Sequence, residues 1–298
     1  MSDKASPPTQ RPCPPRPCPL CGGSPAGPAF PWTSQYAGES YRYFACKTCS
    51  SRYVDPVPGE AALAQMYGSG DYHEEFYDGA GQSRYEDTAD RLAAHLPAGA
   101  RVLDYGCGAG HLIAALKRRG FAAEGAEFSA LAAANAAAKS GCRVHDLSAD
   151  GWQAAGLWDA IHLGDVIEHL PEPRATLAGL APLVAPDGLL SAQGPLEANP
   201  SLVYGAILLF SHARRLLRPE AAYVFPPYHL LFATARGQRG CLRGLPGFDE
   251  VLWQVSEDGW PYRRNGVLRG AIALAAIAVA KLPGSKLGNH YATLLRKV

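Results

Sequence analysis

The chain has 298 residues, 47% of them hydrophobic, and 28 basic and 27 acidic side chains give it a formal net charge of +1. This length allows one large hydrophobic core, or one core with a small satellite. Proteins that bind nucleic acids usually carry clustered Lys and Arg, so the near balance of basic and acidic side chains argues against a nucleic-acid partner.

The first residues, MSDKASPPTQRPCPPRP, are polar and rich in proline and lack the apolar segment of a signal peptide. We expect residues 1–12 to be a disordered lead-in. The eight cysteines are then expected in the reducing cytoplasm, where paired spacing favours metal binding over disulfides.

Two C-x-x-C pairs follow, CPLC and CKTC, and their thiols belong to Cys18, Cys21, Cys46 and Cys49. Four thiolates at this spacing can bind a tetrahedral zinc ion, and four protein ligands leave no position open for catalysis. We therefore predict a structural zinc in a lobe spanning residues 13–55. A redox dithiol is the alternative, but a redox protein rarely needs two such pairs.

Residues 56–84 are expected to be a linker and cap with one short helix. From about residue 85, short apolar runs alternate with alanine-rich segments, which is typical of parallel strands with helices on both faces. The predicted strands lie in ARVLDYG, FAAEGAEFS, CRVHDL, WDAIHLGD, LLSAQGP and NHYATLLRKV. The predicted helices lie in AGHLIAALKRRG and ALAAANAAAKSG, and PRATLAGLAPLVAPDG is predicted to be a helix with its turn.

Two further segments stand apart from this alternation. Residues 198–240 are predicted to be an insertion that covers the substrate, because ligands bind at the carboxyl ends of such strands. The apolar run at 270–280 is too short for a bilayer, which needs about 20 helical residues. We expect a buried helix there, with an interfacial helix as the alternative.

Three glycines at alternate positions, Gly106, Gly108 and Gly110, follow the first strand of the sheet. A dinucleotide fingerprint would place its third glycine where His111 stands, and a phosphate-binding loop would need Gly-Lys-Ser/Thr. Glu127 ends the next strand, where a carboxylate can accept hydrogen bonds from ribose hydroxyls. This combination predicts a nucleoside with a free ribose diol.

VLDYGCGAG, EGAEFS, LGDVIEHLPEP and PDGLLSAQGP resemble the motifs of class I S-adenosylmethionine-dependent methyltransferases, from about residue 85 to 197. The cysteine lobe followed by ALAQMYGSGDYH is similar to a bacterial subgroup with an N-terminal zinc-binding domain, associated with unusual sugars, surface glycans and secondary metabolites. The resemblance implies an α/β fold with a Rossmann-like, doubly wound, mostly parallel seven-stranded sheet. It also implies a methyltransferase domain at residues 85–298 and S-adenosylmethionine as cofactor.

The resemblance also implies which residues bind the methionine part of the cofactor. The three glycines would let the chain pass beneath it. Asp104 would orient the glycine loop or, through water, the ammonium group. Gly164 and Asp165, at the end of the fourth strand, would lie beside the sulfonium and the methionine tail.

The nucleoside part would be bound by residues after the second and third strands. Glu127 would accept from both ribose hydroxyls, and Phe128 would pack on the adenine. Asp146 would accept from the adenine amine, and Leu147 would border the ring.

Glu168 and His169 follow the fourth strand, at the expected place of the acceptor. His169 could act as a general base near neutral pH. Alternatively, Asp165, Glu168 and His169 could hold a divalent cation, as in some quinone-type O-methyltransferases with a similar Glu-His pair. A third interpretation gives the pair only a structural role in the loop.

The predicted insertion supplies further candidates. Tyr228 and His229 are predicted catalytic residues, and the pocket is expected to be lined by Tyr223, Phe225, Tyr72 and His73. Arg214, Arg215 and Arg218 suit either phosphate recognition or a solvated helix face.

The leading hypothesis is an S-adenosylmethionine-dependent methyltransferase of a sugar, nucleotide-sugar or secondary-metabolite intermediate, without a transmembrane segment. Alternatives are an RNA methyltransferase that binds substrate through the zinc lobe, a nicotinamide-dependent oxidoreductase, and a non-catalytic cofactor-binding scaffold. The displaced third glycine disfavours the oxidoreductase.

Overall fold

The computed structural model describes residues 14–68, 82–149, 151–218, 226–264 and 266–298. The first part is an antiparallel sheet of β1 (Pro25–Tyr36), β2 (Glu39–Cys46) and β3 (Arg52–Asp55). Tyr41 and Tyr43 alternate with exposed residues along β2 and are fully buried, as a strand with one covered face requires. Helices α1 (Glu60–Gly68) and α2 (Gln82–Ala93) follow.

The second part is a seven-stranded sheet. Its elements in chain order are β4 (Arg101–Tyr105), α3 (His111–Arg118), β5 (Ala122–Glu127), α4 (Ala130–Ser140), β6 (Val144–Asp146), β7 (Trp158–Gly164), α5 (Pro173–Leu180), β8 (Val184–Pro195), α6 (Leu202–Leu217), β9 (Leu231–Phe232), α7 (Ala235–Arg243), β10 (Phe248–Ser256), α8 (Val267–Ala280) and β11 (His290–Lys297). The strand order is β10-β11-β8-β7-β4-β5-β6, so β9 lies outside this sheet. β11 runs antiparallel to both neighbours, whereas β6, β5, β4, β7 and β8 are parallel.

The central strands β4 and β7 are buried along nearly their whole length. Helices cover both faces of a parallel sheet, so its inner strands consist of continuous apolar runs rather than alternating ones. The helix α4 begins at Ser129, whose side chain accepts the Ala132 N–H, and ends at Gly141 with a φ of 62°. Serine at the N-cap and glycine at the C-terminal end are common capping residues of α-helices.

The predicted fold class is confirmed, with all six predicted strands present in the sheet. Two local predictions are wrong. The residues VAPDG were expected in a turn after the helix, but they begin the long strand β8. The apolar run at 270–280 was expected to form a buried helix, with an interfacial helix as the alternative, yet in the observed helix Val267–Ala280 only Ala273 and Ala276 are buried. None of the described helices has the length and apolar character that would be needed to span a membrane.

The strand β9 joins the first sheet, where Leu231 and Phe232 pair with Tyr53 and Arg52 of β3. Just beyond it, the Thr234 hydroxyl donates to the Cys49 carbonyl at 2.7 Å. β9 lies within the predicted insertion at 198–240, so this segment completes the sheet of the cysteine lobe. One hydrophobic cluster consequently includes buried residues of both sheets.

We predict a large difference between two leucine-to-alanine variants. Leu103 of β4 is fully buried, whereas Leu268 of α8 is 77% exposed. Leu103→Ala should lower the free energy of unfolding by about 2–5 kcal/mol, because it leaves a cavity in the core. Leu268→Ala should change it by less than about 0.5 kcal/mol. Urea unfolding measures both, and an equal loss in the two variants would contradict the described burial.

Candidate functional site

The glycine loop between β4 and α3 turns sharply at each glycine. The φ angles of Gly106, Gly108 and Gly110 are 75°, 51° and 77°, in a region that side chains with a Cβ adopt only at a cost. A Cβ on Gly106 would lie 2.6 Å from Cγ2 of Val166, and one on Gly110 would lie 3.1 Å from the Ala136 carbonyl oxygen. Gly106 and Gly110 therefore allow the loop to pack closely against the next segments of the chain.

Glu127 connects the end of β5 to this loop. Its Oε2 accepts the Gly108 N–H at 2.8 Å, and its Oε1 accepts the Phe128 N–H at 2.7 Å. Oε1 also accepts the Ser129 N–H at 3.4 Å. A carboxylate has about four acceptor sites, so the buried Glu127 can still accept from a ligand. The carboxylate predicted to bind the ribose therefore lies directly beside the glycine loop.

The other residues predicted to bind the nucleoside lie around Glu127. Phe128 is 49% exposed, and its ring meets Tyr105 edge to face at 5.8 Å. Asp146 is paired with Glu127 in the sheet register, and the Leu147 N–H donates to the Glu127 carbonyl. One oxygen of Asp146 accepts from the Ser148 N–H and hydroxyl, which lowers the pKa of Asp146.

Asp104 is buried at the end of β4. Burial, and secondarily the charge of Glu127, raise the pKa of Asp104 to about 7. Two carboxyl groups at adjacent strand ends are costly in isolation and are typical of a site that binds a donor-rich ligand. An ammonium group and a ribose diol are such donors, so these residues fit S-adenosylmethionine.

The loop after β7 carries Gly164 and Asp165. The backbone of Asp165 has a φ of 53°, and its Oδ2 accepts from the Arg84 guanidinium at 2.6 Å. Arg84 is placed by α2, which docks on β8 because both Thr88 and Arg91 donate to Oε1 of Gln193. The next residue, Val166, closes over Gly106, so this loop touches the glycine loop.

A pocket of about 430 Å³ opens beside Asp165. Its volume is within the usual range for small-molecule sites. Its walls come from three regions of the chain: Phe30, Pro31 and Tyr43 of the first sheet, Pro226 to His229 and Phe232 of the predicted insertion, and Arg84, Asp165, Glu168, His169, Pro195, Glu197, Asp258, Trp260 and His290. The cysteine lobe therefore forms one wall of the pocket.

Glu168, His169 and His229 come together in this pocket. Glu168 and His169 lie in a short 3₁₀ helix, Ile167–His169, directly after the loop of Asp165. The His169 Nδ1–H donates to the Tyr228 carbonyl at 2.7 Å, and its ring lies 4.9 Å from that of His229. The His229 Nδ1–H donates to Oε2 of Glu197 at 2.5 Å.

The surroundings shift the pKa values of these three groups in different directions. Burial, together with the charge of Asp165, raises the pKa of Glu168 well above its usual range. Burial, together with the charge of His229, lowers the pKa of His169 to about 3. Burial also disfavours the charged form of His229, but the Glu197 carboxylate outweighs it and raises the pKa of His229 to about 9.

At neutral pH, His169 is therefore neutral and His229 is charged. Oε1 of Glu168 is buried and has no hydrogen-bond partner among the described residues. A buried carboxyl group with a raised pKa that faces a pocket is a typical general base. Of the predicted catalytic residues, Glu168 thus has the properties expected of the base, whereas His169 binds protons too weakly.

The structure brings together a different set of candidate cation ligands from the predicted set. Glu168, His169 and His229 each offer one ligand atom, and these three atoms lie within 4.8 Å of one another. Asp165, which we named in that alternative, is instead in an ion pair with Arg84. Any cation in this pocket would therefore use His229 in its place.

The four predicted zinc ligands also come together. The sulfur atoms of Cys18 and Cys49 are 3.7 Å apart, those of Cys21 and Cys46 are 3.5 Å apart, and all four lie within 4.8 Å of one another. Thiolates about 2.3 Å from a tetrahedral zinc are about 3.8 Å apart. The cluster thus fits the ion.

Several pocket residues were not predicted. Arg84 and Phe30 have no local sequence signal, whereas Glu197 directly follows β8 and could have been suspected as an acid at a strand end. Of the residues predicted to line the pocket, Tyr72, His73, Tyr223 and Phe225 lie outside the described part of the chain.

The strand order and the glycine loop with its acidic strand end define the Rossmann-like fold of class I methyltransferases. The family model described as a methyltransferase domain matches residues 77–238, and the chain belongs to this family. It is an S-adenosylmethionine-dependent methyltransferase of a small molecule.

The chain is similar to curated ubiquinone biosynthesis O-methyltransferases. That of Xanthomonas axonopodis pv. citri (strain 306) is 30% identical over 164 residues, which are 53% of this chain and 67% of that protein. That of Xanthomonas campestris pv. campestris (strain B100) is 30% identical over 177 residues, 57% of this chain and 72% of that protein. A solved methyltransferase from Archaeoglobus fulgidus is 19% identical with a TM-score of 0.49, covering 76% of this chain and 98% of that one.

We predict that Gly106→Ala weakens binding of S-adenosylhomocysteine at least about tenfold, a loss of about 1.4 kcal/mol. The added Cβ would collide with Val166 and displace the loop. Gly120→Ala is the matched control, because Gly120 also has a positive φ of 82° but open space around its Cβ position. Calorimetric titration measures both affinities. Equal affinities in the two variants would show that the loop does not bind the cofactor.

Proposed function

We propose that this methyltransferase methylates a hydroxyl oxygen of a small, uncharged acceptor such as a sugar or a secondary-metabolite intermediate. The observation that carries this proposal is the buried carboxyl group of Glu168, a residue that lines the pocket and whose Oε1 has no hydrogen-bond partner among the described residues. An alcohol or phenol must lose its proton when it is methylated, so a base is needed there. The names of the similar O-methyltransferases also favour oxygen as the acceptor atom.

We assign the cofactor to the carboxyl ends of β4, β5, β6 and β7. Asp104, the glycine loop and the Gly164–Asp165 turn would hold the methionine part. Glu127 would accept from the ribose, with Phe128, Asp146 and Leu147 around the adenine. When bound there, S-adenosylmethionine supplies an electrophilic methyl group, and the protein's part is to position the acceptor.

The charges of the pocket narrow the acceptor class. Its walls carry the carboxyl groups of Asp165, Glu168, Glu197 and Asp258, and its cationic Arg84 and His229 are already paired with Asp165 and Glu197. A phosphate group would have to compete with these carboxylates for the two cations. We therefore favour a neutral polyhydroxyl or phenolic compound as the methyl acceptor, rather than a nucleotide sugar.

Within this pocket we assign the proton transfer to Glu168. Its carboxylate would take the hydroxyl proton of the acceptor, and the charged His229, held by Glu197, would stabilise the negative charge that remains. His169 would position His229 and the Tyr228 backbone. Tyr228 itself would contact the acceptor as part of the wall.

We propose that the cysteine cluster holds a structural zinc, and that residues 13–55 are a zinc-binding lobe, 56–84 a linker and cap, and 85–298 the methyltransferase domain. We propose a cytoplasmic location, because cysteine thiolates that bind a metal persist in a reducing compartment. Because β9 pairs with β3 directly after His229, the ion would fix the pocket wall as well as the lobe.

The proposed reaction is tested with methyl-labelled S-adenosylmethionine and a panel of neutral sugars, phenols, amines and nucleotide sugars. Transfer of label to hydroxyl groups of neutral compounds is expected. Label on amines or on nucleotide sugars would contradict the acceptor class. Cofactor binding without transfer to any member of the panel would favour a non-catalytic scaffold.

We predict that Glu168→Gln lowers kcat about 10²- to 10⁴-fold, the usual contribution of a general base, and leaves the affinity for S-adenosylhomocysteine unchanged. Glu172→Gln is the matched control, since this exposed glutamate four residues further on pairs with Arg16 at the surface. A loss of activity in both variants, or in neither, would exclude this role of Glu168.

The pH dependence of kcat provides a second prediction from the same groups. The base must be deprotonated, so the rate should rise with pH up to the raised pKa of Glu168. It should fall again near pH 9, where His229 loses its proton. The rising limb should disappear in Glu168→Gln, and a rate that is flat between pH 6 and 9 would contradict the assignment.

Zinc content provides a further prediction. Native mass spectrometry should find one zinc ion per wild-type chain, and Cys49→Ser should lose it. We expect kcat/KM for the acceptor to fall about 10- to 100-fold in this variant, because the pocket wall is displaced, while cofactor affinity is retained. Cys142→Ser is the control, since Cys142 lies outside the cluster. A wild-type chain without metal would refute the zinc assignment.

A further inference from the structure

The helices α6 and α8 pack against each other near the pocket. Val203 of α6 meets Ala273 and Ala276 of α8 in a small buried cluster, bordered by Ile207 and Ile272. These residues recur every three or four positions, so each helix buries one narrow face. The remaining faces of both helices point away from this contact.

The outer faces are unusually apolar. Leu216 and Leu217 of α6 are 86% and 83% exposed, and Val267 and Leu268 of α8 are 94% and 77% exposed. Other large apolar side chains on the same two helices are also exposed, namely Leu202, Leu209, Phe210 and Leu274. Exposed apolar residues scattered singly are ordinary, but a concentration on two neighbouring helices marks a binding surface.

The same two segments are strongly basic. Residues 198–218 and 259–289 together contain eight Arg and Lys and no Asp or Glu, which leaves 20 basic and 27 acidic residues in the rest of the chain. Three of the eight, Arg214, Arg215 and Arg218, lie at the end of α6, and Lys281 follows α8. The overall charge of +1 therefore conceals a basic apolar surface on an otherwise acidic protein.

This combination determines the kind of partner. A second copy of the chain would bring two basic surfaces together, which is electrostatically unfavourable. A bilayer that contains anionic lipid offers both an apolar interior for the leucines and phosphates for the arginines. Helices of this composition lie in the plane of the membrane interface rather than across it.

The surface lies next to the pocket. Arg215 of α6 lies over the ring of Trp32, 4.5 Å from its centre, and Trp32 closely follows the pocket residues Phe30 and Pro31. On the other side, the pocket residue Trp260 precedes α8 and is half exposed. Tryptophan is favoured where an apolar and an aqueous phase meet.

We propose that α6 and α8 form a peripheral membrane-binding surface that recognises anionic phospholipid. The leucines of both helices enter the acyl boundary, and the basic residues at the helix ends contact lipid phosphates. The pocket then lies close to the membrane surface.

Co-sedimentation of the full-length protein with vesicles tests this surface. Vesicles of phosphatidylcholine with added phosphatidylglycerol should bind the protein, and binding should weaken steeply with salt. Vesicles of phosphatidylcholine alone should bind much less. Equal binding to both, or binding to neither, would overturn the proposal.

Two double variants separate the apolar and the electrostatic contributions. Leu216→Ser with Leu217→Ser should weaken binding about tenfold or more, because two exposed leucines no longer enter the bilayer. Arg218→Gln with Lys281→Gln should weaken it about 25-fold, at about fivefold for each lost charge. Neither variant alters buried residues, so their thermal unfolding should match the wild type.

The control is Leu157→Ser with Val251→Ser, two exposed apolar residues outside the two helices. Its vesicle binding should equal that of the wild type. Sedimentation velocity without vesicles should show the same mass for all variants. If the leucine variant instead converts a dimer to a monomer and leaves vesicle binding unchanged, the surface is a dimer interface and the proposal is wrong.

Discussion

The hydrogen bond from the Gly108 N–H to the Glu127 carboxylate, 2.8 Å long, joins the ends of two parallel strands, and the position of the glycine loop depends on it. Parallel strands bring their carboxyl ends to the same edge of the sheet. The acidic side chain of β5 can therefore reach the loop that follows β4. The positive φ of Gly106 and its close approach to Val166 fix the same loop from the other side.

The pocket beside Asp165 depends on a different contact. The short strand β9 leaves the methyltransferase part of the chain and completes the sheet of the cysteine lobe. His229 lies two residues before this strand and lines the pocket together with Phe30 and Tyr43. The shape of the pocket is thus determined jointly by two sheets that are far apart in sequence.

Charge is distributed unevenly at two scales. Inside the pocket, burial raises the pKa of Glu168 and lowers that of His169, although the two are adjacent in sequence. The difference arises because burial disfavours the charged form of both groups, which is the anion for one and the cation for the other. At the scale of the whole molecule, α6 and α8 collect positive charge and apolar surface next to the pocket.

The sequence by itself determined the parallel sheet, the glycine loop, Glu127 and the set of four cysteines. These features depend on local periodicity and on spacings that chemistry restricts. The exposure of α8 was predicted wrongly, because periodicity cannot tell whether an apolar helix packs inside the protein or faces outward. Arg84, Glu197 and the aromatic wall of the first sheet were not foreseen at all. Only the tertiary structure placed them, because Arg84 lies 81 positions from Asp165 and Glu197 lies 32 positions from His229, and such contacts depend on how the chain folds rather than on local periodicity.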